Sequence, residues 1–263
     1  MRIRFLNLIA AAAISAGIVF VASFPAAGQT KSGGVPSAIP RLQNGKPDMS
    51  GVWDKPRVED MSKDYPGPAC GSGTIGCKSE GAGPLPFTPA GLAKYNRREE
   101  DINNFDPGVH CLPEGYVRSW GTTLPTEIVH NASKMAVLFE NFGAFHVIPT
   151  DGREHPRNLD SNWFGNSVGK WDGDTLVVDT IGFNDRTWID TEEHPHSEAL
   201  HIVERFNRLD AQHLGYEITV EDPRIFTRPF KNKRVFALMK PGQELMEHVC
   251  EENNKELVEG HQK

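Results

Sequence analysis

From about Glu127 to Val220, apolar residues recur at every second position in short runs separated by turn-forming residues. "EIVHNASKMAVLFENFGAFHVIPTDG" reads as short strands broken at Asn-Ala-Ser, Asn-Phe-Gly and Thr-Asp-Gly. "GKWDGDTLVVDTIGF" pivots on Asp172-Gly173, a dipeptide that supplies the backbone a tight hairpin needs. "LHIVERFNRLDAQHLGYEITVED" is a second up-down pair with its turn near Asp210 to His213. Along its second member Tyr216, Ile218 and Val220 share one face and Glu217, Thr219 and Glu221 the other. One side therefore packs inward and the other meets water. Strands at this spacing predict a mainly β fold: a closed or nearly closed antiparallel barrel.

Two acids break the inward pattern. With a strand starting at Leu200, the side chains of Leu200, Ile202, Glu204 and Phe206 share a face. In "AVLFENF", Ala136, Leu138, Glu140 and Phe142 alternate with Val137, Phe139 and Asn141, which puts Glu140 in a strand covered on both sides. A buried carboxylate is costly unless paired, so each predicts either a structural ion pair or a functional group. Arg153 and Arg157 are possible partners for Glu204.

Ahead of the barrel the period is weaker. "PDMSGVW", Pro47 to Trp53, predicts a first strand, and Asp54 to Pro86 is a loop rich in Pro, Gly and Ser. "FTPAGLAKYNRREEDI" predicts one short helix, with Thr88 as cap, Pro89 at the first helical position, and Leu92 and Tyr95 on one face. The organisation is thus a leader over 1–28, an irregular arm with the first strand over 29–86, and the barrel domain over 87–263.

The leader has the pattern of an export signal: Arg2 and Arg4, an apolar run from Phe5 to Phe24, then Ala26-Ala27-Gly28. An uncleaved anchor is the alternative, and no later segment is long and apolar enough to span a bilayer. A periplasmic or secreted protein without membrane attachment follows from cleavage. The chain carries a net charge of −7, and loss of Arg2 and Arg4 makes it more negative. That charge argues against a nucleic-acid partner, whose phosphates require Lys and Arg. In an oxidising compartment four cysteines favour two disulfides. Cys70 and Cys77 bracket the foldable "CGSGTIGC", which leaves Cys111 with Cys250. The second bridge would restrict the unfolded state by ~3–5 kcal/mol. A zinc site is the weaker reading, since no second close cysteine pair exists.

"SGVW", Ser50 to Trp53, resembles the Gly-x-Trp element that opens lipocalin barrels. The segments "DGREHP", "WFGNSVGKWDGDTLVVDTIGFNDRTWID", "HPHSEALHIVERFNR" and "CEENNK" resemble a group of exported, β-rich bacterial proteins of uncharacterised function. The resemblance implies export and a shared, lipocalin-like β architecture, and no reaction or cofactor.

The densest chemistry lies in "DTEEHPHSEALHIVERFNRLD", Asp190 to Asp210. His196 with Glu204 or Asp190 would make an acid–base pair, the carboxylate fixing the imidazole tautomer. Glu140 joining Glu204 and His196 in one pocket would push one acid's pKa upward. Alternatively His194, His196 and His201 with a carboxylate would suit a divalent metal; the acid–base reading needs no cofactor. Trp120, Trp163, Trp171, Trp188, Phe164 and Phe183 cluster around glycine-rich turns and either plug the barrel or wall a pocket. Trp163, Phe164 and Trp188, with Arg153 and Arg157, would then contact the ligand. Asp172, Asp174 and Asp179 could hold Ca²⁺, although a hairpin explains the first two. Ser167 in "GNSVG" lacks the spacing and strand-to-helix setting of a nucleophile elbow. The expectation is an exported acid–base enzyme (a hydrolase, lyase or isomerase) acting on a small apolar or aromatic molecule. A lipocalin-like carrier and a histidine-ligated metalloenzyme are the alternatives.

Overall fold

The computed structural model describes residues 38–65, 77–97 and 106–252, so the leader, Cys70 and the last five residues of the expected helix lie outside the described residues. Ten strands run in chain order as β1 Gly51–Asp54, β2 Lys78–Glu80, β3 Thr126–His130, β4 Lys134–Phe139, β5 Phe145–Pro149, β6 Asn166–Asp172, β7 Thr175–Ile181, β8 His201–Arg208, β9 His213–Glu221 and β10 Phe230–Leu238. Two helices, α1 Pro89–Asn96 and α2 Tyr116–Ser119, complete the elements used below.

The strands form one antiparallel sheet in the order β5-β4-β3-β1-β10-β9-β8-β7-β6, with β2 added to β10. β1 pairs with the end of β10 through Trp53–Leu238 and Asp54–Ala237, while β2 pairs with its middle. The sheet curls until β5 and β6 face one another, giving a nearly closed barrel. Across that seam Gly152 N–H donates to Gly169 O at 3.0 Å, and His146 Nε2 lies 2.7 Å from Ser167 Oγ. Side chains hold the last gap more than backbone ladders do.

The hairpin at Asp172-Gly173 forms as its sequence dictates, with Asp172 opposite Thr175 and Gly173 at φ 60°. The alternation over β8 and β9 also holds: Ile202, Glu204, Phe206, Tyr216, Ile218 and Val220 are all buried. Inside, Trp120 fills the barrel, its ring 5.1 Å from Phe139, 5.1 Å from Tyr216, 5.6 Å from Phe236 and 5.7 Å from Phe206. Trp120 therefore plugs the barrel rather than walling a pocket. Burial of such rings is the dominant favourable term in the fold.

Three expectations change. Glu140 is not in a strand: β4 stops at Phe139, and Glu140 begins a 3₁₀ turn over Asn141–Gly143. The inward set of β4 is Met135, Val137 and Phe139, so Leu138 faces outward. Helix α1 has the Thr88 cap, which accepts from Gly91 N at 2.9 Å, but Leu92 is exposed. The helix instead docks through Gly91, where an added Cβ would collide with Ile225 O. Finally, α2 follows no apolar period of its own, yet it delivers Tyr116 and Trp120 into the core.

Candidate functional site

The run from Trp188 to Pro195 folds back on itself through an antiparallel bridge between those two residues. Ile189 N–H donates to His194 O at 3.0 Å, and Glu193 N–H donates to Asp190 O at 3.3 Å. Closing this turn forces Glu193 to φ 63°, a left-handed conformation rare for a residue with a Cβ. A second segment is laced to it, since Thr191 and Glu192 N–H groups both donate to Glu59 O.

This folding places Asp190 and His194 side by side. His194 Nδ1 is 2.7 Å from Asp190 Oδ2, which also accepts Met61 N–H at 2.9 Å. Asp60 stands just beyond, with Oδ1 4.0 Å from the same imidazole nitrogen. Burial raises the Asp60 pKa, but the Ser62 hydroxyl and amide and the Lys63 ammonium outweigh it and hold the group below its ordinary value. The imidazole is stacked on Tyr95 of α1 at 4.7 Å and lies 5.8 Å from Phe87. Its Nε2 has no hydrogen-bond partner among the described residues. The imidazole is buried, and a carboxylate on Nδ1 fixes the tautomer that leaves Nε2 as the acceptor nitrogen.

His196, two residues on, sits in a different environment. Its Nε2 is 2.7 Å from Thr187 Oγ1 and its Nδ1 3.1 Å from Ser197 O. Burial depresses its pKa to about 4, so it is a neutral, doubly bonded core histidine. Asp190 thus pairs with His194, not His196.

Glu204 lies in the barrel, fully buried, accepting from Tyr216 Oη at 2.9 Å and Tyr116 Oη at 3.0 Å. Burial lifts its pKa to about 8 against the pull of both hydroxyls and of Arg234. Its partners are therefore two tyrosines and the field of Arg234, not Arg153, which pairs with Asp151, nor the exposed Arg157. Glu140 accepts Met246 N–H at 2.9 Å. No hydrogen bond or ion pair joins Glu140, Glu204 and His196 among the described residues.

The histidine triplet separates as well. His201 faces outward, its Nε2 2.8 Å from Asp179 Oδ2, while His155 Nε2 contacts the other oxygen at 2.9 Å. Asp179 and Glu221 raise the His201 pKa. Asp172 and Asp174 each bind an arginine, Arg205 and Arg41, so the three aspartates do not converge on an ion. The metal-compatible grouping is another one. Asp60, Asp190 and His194 offer one donor atom each within 4.8 Å of one another.

Of the expected ligand contacts, Phe164 lines a cleft at the barrel mouth and Arg153 a groove on the outer wall. Trp188 lies under the Arg118 guanidinium at 5.6 Å, and Trp163 is half-buried. Cys111 and Cys250 are bonded, as expected, and point to an oxidising, extracytoplasmic setting. Cys77 is also in a disulfide; Cys70 lies outside the described residues. No helix among the described residues is long and apolar enough to cross a membrane. The partners missed from sequence, Tyr116 for Glu204 and Asp60 for His194, are 88 positions and more than a hundred positions away, and no local pattern signalled either. No protein-family model matches the chain, and no curated protein is similar to it.

Proposed function

We propose that the protein is a periplasmic or secreted acid–base enzyme, a hydrolase, lyase or isomerase, acting on a small apolar or aromatic molecule. The observation that carries the reading is the Asp190–His194 contact of 2.7 Å, buried beneath two aromatic rings, with Nε2 making no hydrogen bond among the described residues. Asp190 holds the proton on Nδ1, so Nε2 accepts a proton from substrate or from a substrate-bound water and returns it later in the cycle. Tyr95 and Phe87 supply an apolar wall for a flat molecule beside that nitrogen. The strained Glu193 peptide between the two groups is consistent with a turn kept for its geometry rather than its stability.

The test is a panel of small aromatic esters, lactones and enolisable ketones, incubated with the mature protein and read by mass spectrometry. His194→Ala should abolish conversion and Asp190→Asn should lower it by ~10²-fold or more, both with unchanged circular dichroism. Conversion that survives in His194→Ala overturns the reading. Compounds that raise the melting temperature but are recovered unchanged would favour a lipocalin-like carrier.

One observation favours a second reading. Two carboxylates and an imidazole within 4.8 Å suit a divalent transition metal with open coordination positions. Metal analysis of the purified protein decides it: stoichiometric zinc, iron or manganese lost in Asp60→Ala would replace the metal-free dyad.

A further inference from the structure

Among the described residues three without glycine's freedom adopt left-handed backbone: Glu193 beside the dyad, and Cys111 and Phe142. The latter two line one cleft. Strain of this kind, ~1–3 kcal/mol per residue, persists only where the surroundings over-determine it, and it concentrates at ligand clamps.

The cleft opens at the barrel mouth and encloses about 460 Å³, within the range of small-molecule sites. Phe142 and Phe145 form its sides, and Phe145 is 69 % exposed. Phe164 forms the floor, stacked on His146 at 6.0 Å with an angle of 27°. The remaining wall is the segment His248 to Glu251, outside the sheet. Three ties hold it there: the Cys111–Cys250 bond, Met246 N–H to Glu140 Oε2 at 2.9 Å, and Phe142 N–H to His248 Nδ1 at 3.1 Å. Buried Glu140 thus has a task, anchoring this wall. No Lys or Arg lines the cleft, and Glu251 adds a carboxylate, so the chemistry disfavours anions.

We propose that this cleft is a binding site for a small neutral aromatic molecule, clasped between Phe142, Phe145 and Phe164, and that the Cys111–Cys250 bond maintains affinity by holding the tail wall in place. Rings stacked from two sides contribute dispersion and edge-to-face contacts beyond plain burial. Without the disulfide the wall keeps, among the described residues, two hydrogen bonds and the Phe142–His248 ring contact, and the cleft is less firmly closed on that side. The proposal is independent of the Asp190–His194 dyad.

Titration of the mature protein with N-phenyl-1-naphthylamine, a neutral fluorophore, tests it. Saturable one-to-one binding is expected, tighter than that of the anionic 1-anilinonaphthalene-8-sulfonate. Phe145→Asp and Val249→Asp alter exposed positions and should fold normally, yet each should weaken binding at least tenfold. The Cys111→Ser/Cys250→Ser pair should weaken it similarly while circular dichroism still reports an intact barrel. Non-saturable binding, or an affinity unmoved by both aspartate variants, would overturn the proposal. So would a dimer that Phe145→Asp dissociates, because the cleft would then be covered by a second copy.

Discussion

Glu204 and Asp190 are both buried acids held by hydrogen bonds, yet they end in opposite situations. Glu204 is on a central strand, and its two oxygens are taken by tyrosine hydroxyls that are themselves sealed behind Trp120 and Phe236. Nothing around it is left to react. Asp190 is on a loop, receives amide donors, and directs one oxygen at a buried imidazole whose far nitrogen has no hydrogen-bond partner among the described residues. A perturbed pKa marks the first site, but an unfinished hydrogen-bond network marks the second. Burial alone shifts titration, whereas reactivity needs a group that the fold orients without saturating.

The comparison can be broken hardest at its sealed side. Trp120→Ala removes the central ring and should cost ~3–5 kcal/mol in denaturant unfolding. His194→Ala on the open side should cost less, ~1–3 kcal/mol, chiefly from leaving Asp190 short of a partner. Equal losses would mean that the loop is as integral to the core as the plug.

A pH series sharpens the contrast. Between 4.5, the ordinary carboxyl value, and about 8, the unfolded chain has released the Glu204 proton while the folded chain keeps it. The Glu204 contribution to stability should therefore fall as pH rises through that window, by on the order of 1 kcal/mol per unit, and it sets the slope above 6.5. His146 and His196, held at about 4 by burial, act the other way. Below 6.5 the unfolded chain gains their protons and the folded chain does not, so stability should fall as pH drops toward 4. Glu204→Gln should erase the descent on the alkaline side and leave the acid side intact, as read from urea midpoints at each pH. An unchanged alkaline slope would put its origin elsewhere.

The smallest effect belongs to neither site. Thr88→Ala removes the cap of α1 and should cost ~1 kcal/mol. Because α1 carries Tyr95 over His194, it should also reduce any turnover while leaving the Glu204 slope untouched.

Local rules made the strands legible. Period two over 200–206 and 216–220 assigned the inward faces, Asp172-Gly173 fixed a hairpin, and Thr88-Pro89 fixed a helix start. The site was legible only in part, for a physical reason. The sequence around 190–204 gathers the right residue types, but pairing depends on where a turn closes and which distant segment crosses it. A two-residue difference in that turn gives Asp190 to His194 instead of His196. Tyr116 meets Glu204 because α2 enters the barrel, and Asp179 collects His201 from the neighbouring strand β8 and His155 from the loop between β5 and β6. Glu140 was misplaced because the period was extended one residue past the end of β4, where the chain already turns.

The Cys111–Cys250 bond joins residues 139 positions apart and so encloses α2 and every strand from β3 to β10 in a covalent ring. Of the described strands and helices, β1, β2 and α1 lie outside it, held to the rest by hydrogen bonds and by buried side chains such as Trp53 and Met61. A protease that nicks a turn such as 209–212 would leave two pieces still linked, migrating together until a reductant is added. A cut between β2 and α2 would instead leave the N-terminal strands with no covalent link to the ring, held only by the pairing of β1 with β3 and β10 and by the burial of Trp53. The molecule's tolerance of proteolysis is thus decided by which side of residue 111 is cut.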